Sequence, residues 1–122
     1  MLIRALADCE EFMAGDRTRL RELLHPDKQP LNLRYSLAHA TVAPGETSTP
    51  HALTTSEVYY ILQGEGQMHI GEEVATVKPG DAIYIPPQAH QYIENIGREP
   101  LIFLCIVDPA WQARDEIVFD AD

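Results

Sequence analysis

Cysteine is nearly absent from this sequence: Cys9 and Cys105 are the only two in 122 residues, far apart and without a Cys-x-x-Cys spacing. Neither a disulfide framework nor a zinc-thiolate site is supported. Cys105 lies in the apolar run Leu101 to Val107, where a thiol is expected to be buried and inert. Positive charge is scarce as well. Lys and Arg number 9 against 19 Asp and Glu, a formal net charge of -10. Such a surface repels phosphate backbones and anionic headgroups, so neither nucleic acid nor a membrane is an expected partner. Long hydrophobic runs are also missing; none approaches the roughly 20 residues that cross a bilayer. Met1-Leu2-Ile3-Arg4 is soon followed by Asp8, Glu10 and Glu11, unlike a secretory leader. A soluble, cytoplasmic protein is the expectation. No internal repeat or low-complexity segment interrupts the chain.

What is present is an apolar content of 45%, enough for a core in a chain about one domain long. A functional site is therefore expected inside one fold rather than between two. From Asn32 onward, short apolar or alternating runs are separated by Pro-Gly, Gly-Glu and Gly-Asp turns, the punctuation of an all-β protein. Strands are expected at Leu33 to Val42, Glu57 to Gln63, Gln67 to Ile70, Val74 to Val77, Ala82 to Ile85, Gln91 to Asn95 and Leu101 to Val107. So many short strands favour an antiparallel barrel or sandwich over an α/β fold. Before them, Asp8 is positioned to cap a short helix through Met13, which Gly15-Asp16 ends. Arg17 to Leu24 fits either a helical face or an alternating strand, and we read it as strand. His25 to Pro30 is a loop, since its two prolines exclude a helix interior. After the last strand, Asp108-Pro109-Ala110-Trp111 reads as a helix start.

Two spacings carry the chemistry. Gly45, His51, Glu57 and Gly64 match the pattern G-x5-H-x-H-x3-E-x6-G, and Gly80, Pro86 and Asn95 match G-x5-P-x-G-x2-H-x3-N. Residues two apart on a strand share a face, so Glu57, Tyr59 and Ile61 point one way, and Gln91, Ile93 and Asn95 point another. If those faces line a barrel, His51, Glu57 and Gln91 converge. An imidazole, a carboxylate and an amide carbonyl suit a divalent transition metal ion such as Zn, Fe, Mn, Ni or Co, and three ligands leave positions open for water or substrate.

These motifs resemble those of the cupin superfamily, in particular its small single-domain members of the RmlC-like, conserved-barrel type. The resemblance covers about Leu33 to Val107. It implies a small antiparallel β-barrel of the jelly-roll, or double-stranded β-helix, type with short helical segments at both ends. The chain is expected as one domain over 1–122, with an N-terminal extension 1–32, a barrel at about 33–107 and a C-terminal segment 108–122. The resemblance also implies a homodimer, and dioxygenase, isomerase, decarboxylase or cyclase chemistry on a small oxygenated substrate.

Three pattern positions depart. Leu53 stands where the second histidine belongs, Gln91 where the last one belongs, and Gln88 replaces a glycine. His90 is one residue early and points away from Gln91 in a regular strand, although a bulge would turn it inward. His39 is the other candidate to supply a missing imidazole. Tyr59 and Tyr84 either line the cavity or fill it. His69 is expected outside, His25 in a loop, and Arg17, Arg19 and Arg21 on a solvated face or against acidic groups. Two readings of the site stay open. One is a metalloenzyme with the ion on His51, Glu57 and Gln91, in which Glu57 would act as general base if the metal were absent. The other is a metal-free, non-catalytic cupin that binds a small molecule. A purely structural or regulatory dimer is a third.

Overall fold

Alternation decides which residues build the core. In Ser36–Val42 every second side chain is buried, so Ala38, Ala40 and Val42 point inward while Leu37, His39 and Thr41 point outward. A computed structural model describes residues 1–119. Of the expected C-terminal segment 108–122, residues 120–122 lie outside the described residues. The strands are β1 (Glu11–Met13), β2 (Arg19–Leu24), β3 (Ser36–Val42), β4 (His51–Leu53), β5 (Ser56–Gln63), β6 (Gly66–Ile70), β7 (Glu73–Val77), β8 (Ala82–Ile85), β9 (Gln91–Asn95), β10 (Leu101–Asp108) and β11 (Glu116–Val118). They form two antiparallel sheets, one ordered β1-β2-β3-β10-β5-β8 and the other β11-β4-β9-β6-β7. The expected all-β, antiparallel barrel architecture is what forms.

The core lies between the sheets. Tyr59, Ile61 and Phe103 enter it from the larger sheet, and Met68, Val77 and Ile93 from the smaller one. The Phe103 ring is fully buried, with its centroid 4.4 Å from that of Tyr59. The motif glycine Gly64 is needed for a close approach: at its φ of 87°, an added Cβ would fall 2.8 Å from the Pro100 carbonyl oxygen. Gln88, in place of the second motif's glycine, adopts a φ of 69°, and its N–H donates to the Leu53 carbonyl at 2.6 Å. The turn before Gln91 is thus kept without glycine, at a cost of about 1–2 kcal/mol.

Both chain ends differ from the helices expected of them. The helical segments are single 3-10 turns, Leu6–Asp8 and Ala113–Asp115. Asp8 sits inside the first turn and caps nothing. Glu11, Phe12 and Met13 instead pair with Arg21, Leu20 and Arg19, and the Glu11 carboxylate lies 3.6 Å from both Arg19 and Arg21. So short a segment has little intrinsic helicity, and strand pairing overrides it. At the other end, the N–H groups of Ala110 and Trp111 donate to the Arg34 carbonyl and to Ser36 Oγ. The backbone donors that would open a helix are thereby held by Arg34 and by the first residue of β3. The chain then returns as β11, which pairs with β4. Residues 1–32 supply two strands of the larger sheet, and β11 edges the smaller one. Among the described residues no helix is long and apolar enough to cross a membrane.

Phe103→Ala is expected to remove about 3–5 kcal/mol of stability, because it empties a fully buried site under Tyr59. Urea unfolding checks this: the midpoint should fall with the slope unchanged.

Candidate functional site

Three strands bring the motif residues to one end of the inter-sheet space. β4 carries His51, β5 carries Glu57 and β9 carries Gln91. His51 and Gln91 are direct partners across β4 and β9, and all three residues are buried. The Tyr59 hydroxyl donates to Gln91 Oε1 at 3.1 Å, and Gln91 Nε2 donates to Glu57 Oε1 at 2.9 Å. The second Glu57 oxygen has no protein partner among the described residues. His51 donates from Nδ1 to the Thr49 carbonyl at 2.8 Å, which fixes the ring and turns Nε2 toward Asp16 Oδ2, 3.5 Å away.

Asp16 is a site residue that the sequence reading treated only as a helix breaker. It lies in the turn between β1 and β2 and borders the same space as His51 and Glu57. Its Oδ1 accepts from the backbone N–H and the hydroxyl of Thr18, and its carbonyl accepts from the Thr49 N–H at 2.7 Å. Glu116 on β11 joins from the C-terminal side, opposite Leu53. Neither residue belongs to a spaced motif, and their approach depends on pairings between distant segments, so no local signal marks them.

His51, Glu57, Asp16 and Glu116 border a cavity of about 270 Å³. Phe12, Leu20, Leu53 and Trp111 form apolar wall, while Asp16, Glu22, Glu57 and Glu116 are its carboxyl groups. Its cationic side chains are His51, where protonated, and Lys28, whose Nζ lies 2.6 Å from Glu22 Oε1. A wider groove of about 470 Å³ between β7 and β8 has a single carboxylate, Glu73, in an otherwise uncharged lining.

Burial pushes the Glu57 carboxyl up to about 8; nearby Asp16 and Glu116 add to the rise, and the Gln91 hydrogen bond opposes it. Burial likewise raises Glu116, with Asp16 adding to the effect and His51 opposing it. Burial first, and then Glu57 and Asp16, lift the Cys105 thiol well above its ordinary value, which accords with an inert thiol. Tyr59 is raised in the same way, by burial first and then by Glu57.

The remaining candidates lie elsewhere. His90 is exposed and stacks on Phe119 at 4.2 Å, so no bulge turns it inward. His39 is on the outer face of β3 between Arg21 and Leu104; burial, then Arg21, lowers its pKa. Tyr84 neither lines nor fills this cavity. It is 63% exposed because Ile83 and Ile85 take the inward positions of β8. His69 is on an outer face as expected, bonded to Glu94 at 2.7 Å and stacked on Tyr92. His25 is buried and donates from Nε2 to the Trp111 carbonyl at 2.7 Å. It ties the loop after β2 to the C-terminal segment.

The expected metal set of His51, Glu57 and Gln91 does not fit this arrangement as it stands. The Gln91 carbonyl oxygen, its only good ligand atom, accepts from Tyr59, and the amide nitrogen facing Glu57 is a donor. Among the described residues no three His, Cys, Asp or Glu side chains are grouped so as to hold a metal ion.

A family model described as a cupin domain matches residues 38–107. The uncharacterized protein MJ1618 of Methanocaldococcus jannaschii is 40% identical over 110 residues, covering 89% of this chain and 87% of that protein. A glucose-6-phosphate isomerase of Thermococcus kodakarensis is 31% identical over 80% of this chain, which spans only 49% of the isomerase. Among solved structures, a predicted oxalate decarboxylase from Thermotoga maritima superposes with a TM-score of 0.75 at 26% identity, over 89% of this chain and 99% of that one.

The raised Glu57 pKa has a stability consequence of definite sign. The folded chain keeps a proton up to about 8 that the unfolded chain, near its ordinary 4.5, has released. The native state is therefore penalised progressively as pH rises between those values and no further above them. Glu57→Gln removes the penalty. Relative to wild type, the variant should gain on the order of a few kcal/mol on going from pH 5 to pH 8.5, at about 1.4 kcal/mol per pKa unit as an upper slope. Parallel stability curves from urea unfolding across that range would show that Glu57 does not carry the proton.

Proposed function

The chain belongs to the cupin domain family, and on that footing we propose that it binds a small organic molecule directly in the barrel cavity, with no metal ion between ligand and protein. The observation that carries this reading is the chain of hydrogen bonds from Tyr59 through Gln91 to Glu57. At the position of the last cupin histidine, this chain presents a donor that clamps the carboxyl group. Leu53, at the position of the second histidine, adds apolar wall instead of an imidazole. A mostly apolar cavity with a few polar groups at one end is the ordinary form of a small-molecule site.

Within this reading His51 orients the ligand, and Glu57 is the group that exchanges a proton with it. A carboxyl group whose pKa is about 8 is matched to general acid or base work near neutral pH. Should the ligand turn over, the chemistry available to these residues is proton transfer at a carbon or oxygen seated beside Glu57. That is compatible with the isomerase named among the relatives. The metal-dependent reading keeps one point of support, that His51 and Glu57 border the same cavity. Gln91 stands against it.

The two readings separate by metal analysis. Protein purified without chelator is expected to hold far less than one ion per chain, and Leu53→His with Gln91→His, which restores the four-ligand pattern, to acquire about one Mn(II) or Zn(II). Stoichiometric metal in the wild type, lost on His51→Ala, would overturn direct binding.

We also propose that the chain pairs with a second copy through the outer face of its larger sheet. There Tyr60, Leu62 and Tyr84 are 41%, 44% and 63% exposed, beside the outward residues Leu104 and Ile106 of β10. A continuous apolar face on an acidic chain is costly to leave in water. Light scattering should give the mass of two chains for wild type and of one for Tyr60→Arg with Leu62→Arg. A wild type that runs as a single chain refutes the pairing.

A further inference from the structure

A ligand must complete whatever hydrogen bonds a cavity leaves open, so the donors and acceptors around the site identify its chemical class. Most donors near the polar end are already engaged. Gln91 Nε2 is bonded to Glu57, the Tyr59 hydroxyl to Gln91, the Thr18 hydroxyl to Asp16, and His51 Nδ1–H to the Thr49 carbonyl. Lys28 sits against Glu22 at 2.6 Å. The Ser36 hydroxyl accepts from the Trp111 N–H and keeps its own proton. What remains turned toward the cavity is the Ser36 hydroxyl and carboxyl oxygen: Asp16 Oδ2, which His51 Nε2 faces at 3.5 Å, Glu116, and the second oxygen of Glu57. Glu57 is 6% exposed; its carboxyl keeps its proton up to about 8 and gives it up more readily with a cation beside it. Among the described residues no arginine borders the space.

We propose that the cavity selects a small organic cation that brings its own N–H donors, a primary ammonium or guanidinium group on an apolar body, and that it disfavours carboxylates and phosphates. The cation would sit between Asp16, Glu57 and Glu116, and its apolar part would lie along Leu53, Phe12 and Trp111. A dianion such as oxalate, or a sugar phosphate, would enter a space bordered by four carboxyl groups, with no free cationic partner beyond the paired Lys28 and a His51 already facing Asp16. The proposal rests on the cavity being the binding site, and it runs against the ligand charge suggested by the names of the relatives. At about 270 Å³, the cavity has room for on the order of ten groups of water's size, about 30 Å³ each.

Trp111 is the only tryptophan in the chain and borders the cavity, so its fluorescence reports occupancy. The probes are phenethylammonium, phenethyl alcohol and phenylacetate, matched in size and differing in charge, together with oxalate and glucose 6-phosphate. Phenethylammonium is expected to bind at least about tenfold more tightly than the alcohol, as charge-assisted hydrogen bonds exceed neutral ones. Phenylacetate, oxalate and the sugar phosphate should bind more weakly than the alcohol or not at all. Asp16→Asn with Glu116→Gln should abolish the preference for the cation over the alcohol, and a circular dichroism spectrum matching that of the wild type certifies that the variant is folded; a folded variant that keeps the preference overturns the assignment. Binding of the alcohol with equal or tighter binding of any of the anions overturns the choice of a cation and leaves the cavity reading standing. If none of the five probes alters Trp111, the cavity reading falls and this inference with it.

Discussion

A carboxyl group enclosed by apolar side chains must either give up its charge or find a partner for it. Glu57 is the place where this chain meets that constraint. It faces the inter-sheet space because alternation along β5 sends Glu57, Tyr59 and Ile61 the same way, and it stays there because Gln91 donates to it from the facing sheet. Gln91 is in turn held by Tyr59, whose ring rests on Phe103. The packing of the core and the orientation of the polar site are therefore one structure. Tyr59 belongs to both, with its ring among hydrocarbon neighbours and its hydroxyl at the root of the polar chain.

The barrel was legible because its signals are short in range and redundant. Turn residues recur between alternating runs, and two spaced motifs overlap them, so the strands from β5 to β10 lie within a residue or two of where the alternation puts them. Motif glycines also point to backbone demands that can be verified, as the close approach at Gly64 illustrates. The site was half legible. His51, Glu57 and Gln91 are marked by spacing, and they do meet in one buried layer. What the spacing could not convey is which way an amide faces. The role of Gln91 turns on whether its oxygen or its nitrogen meets Glu57; here the nitrogen does, and the oxygen takes the hydroxyl of Tyr59, two residues beyond Glu57 on the same strand.

The other half of the site comes from the ends of the chain, where pattern reading fails for a physical reason. Strands of three residues such as β1, β4 and β11 are too short to show a period and exist only because partners complete their hydrogen bonds. Asp16 and Glu116 are carried on or beside such elements. Their effect is electrostatic: they add two carboxyl groups to a cavity already bordered by Glu22 and Glu57, which separates this site from a simple apolar pocket.

Because β4 is bracketed by β11 on one side and β9 on the other, and because the Asp16 turn is fastened to the residue two before it, the cavity is completed by segments about a hundred residues apart, those around Asp16 and Glu116. A nascent chain emerging from the ribosome can pair β5 with β8, and β6 with β7, long before it can close this pocket. Competence to capture a ligand therefore comes later in biosynthesis than those pairings, only once the segment around Glu116 has left the exit tunnel.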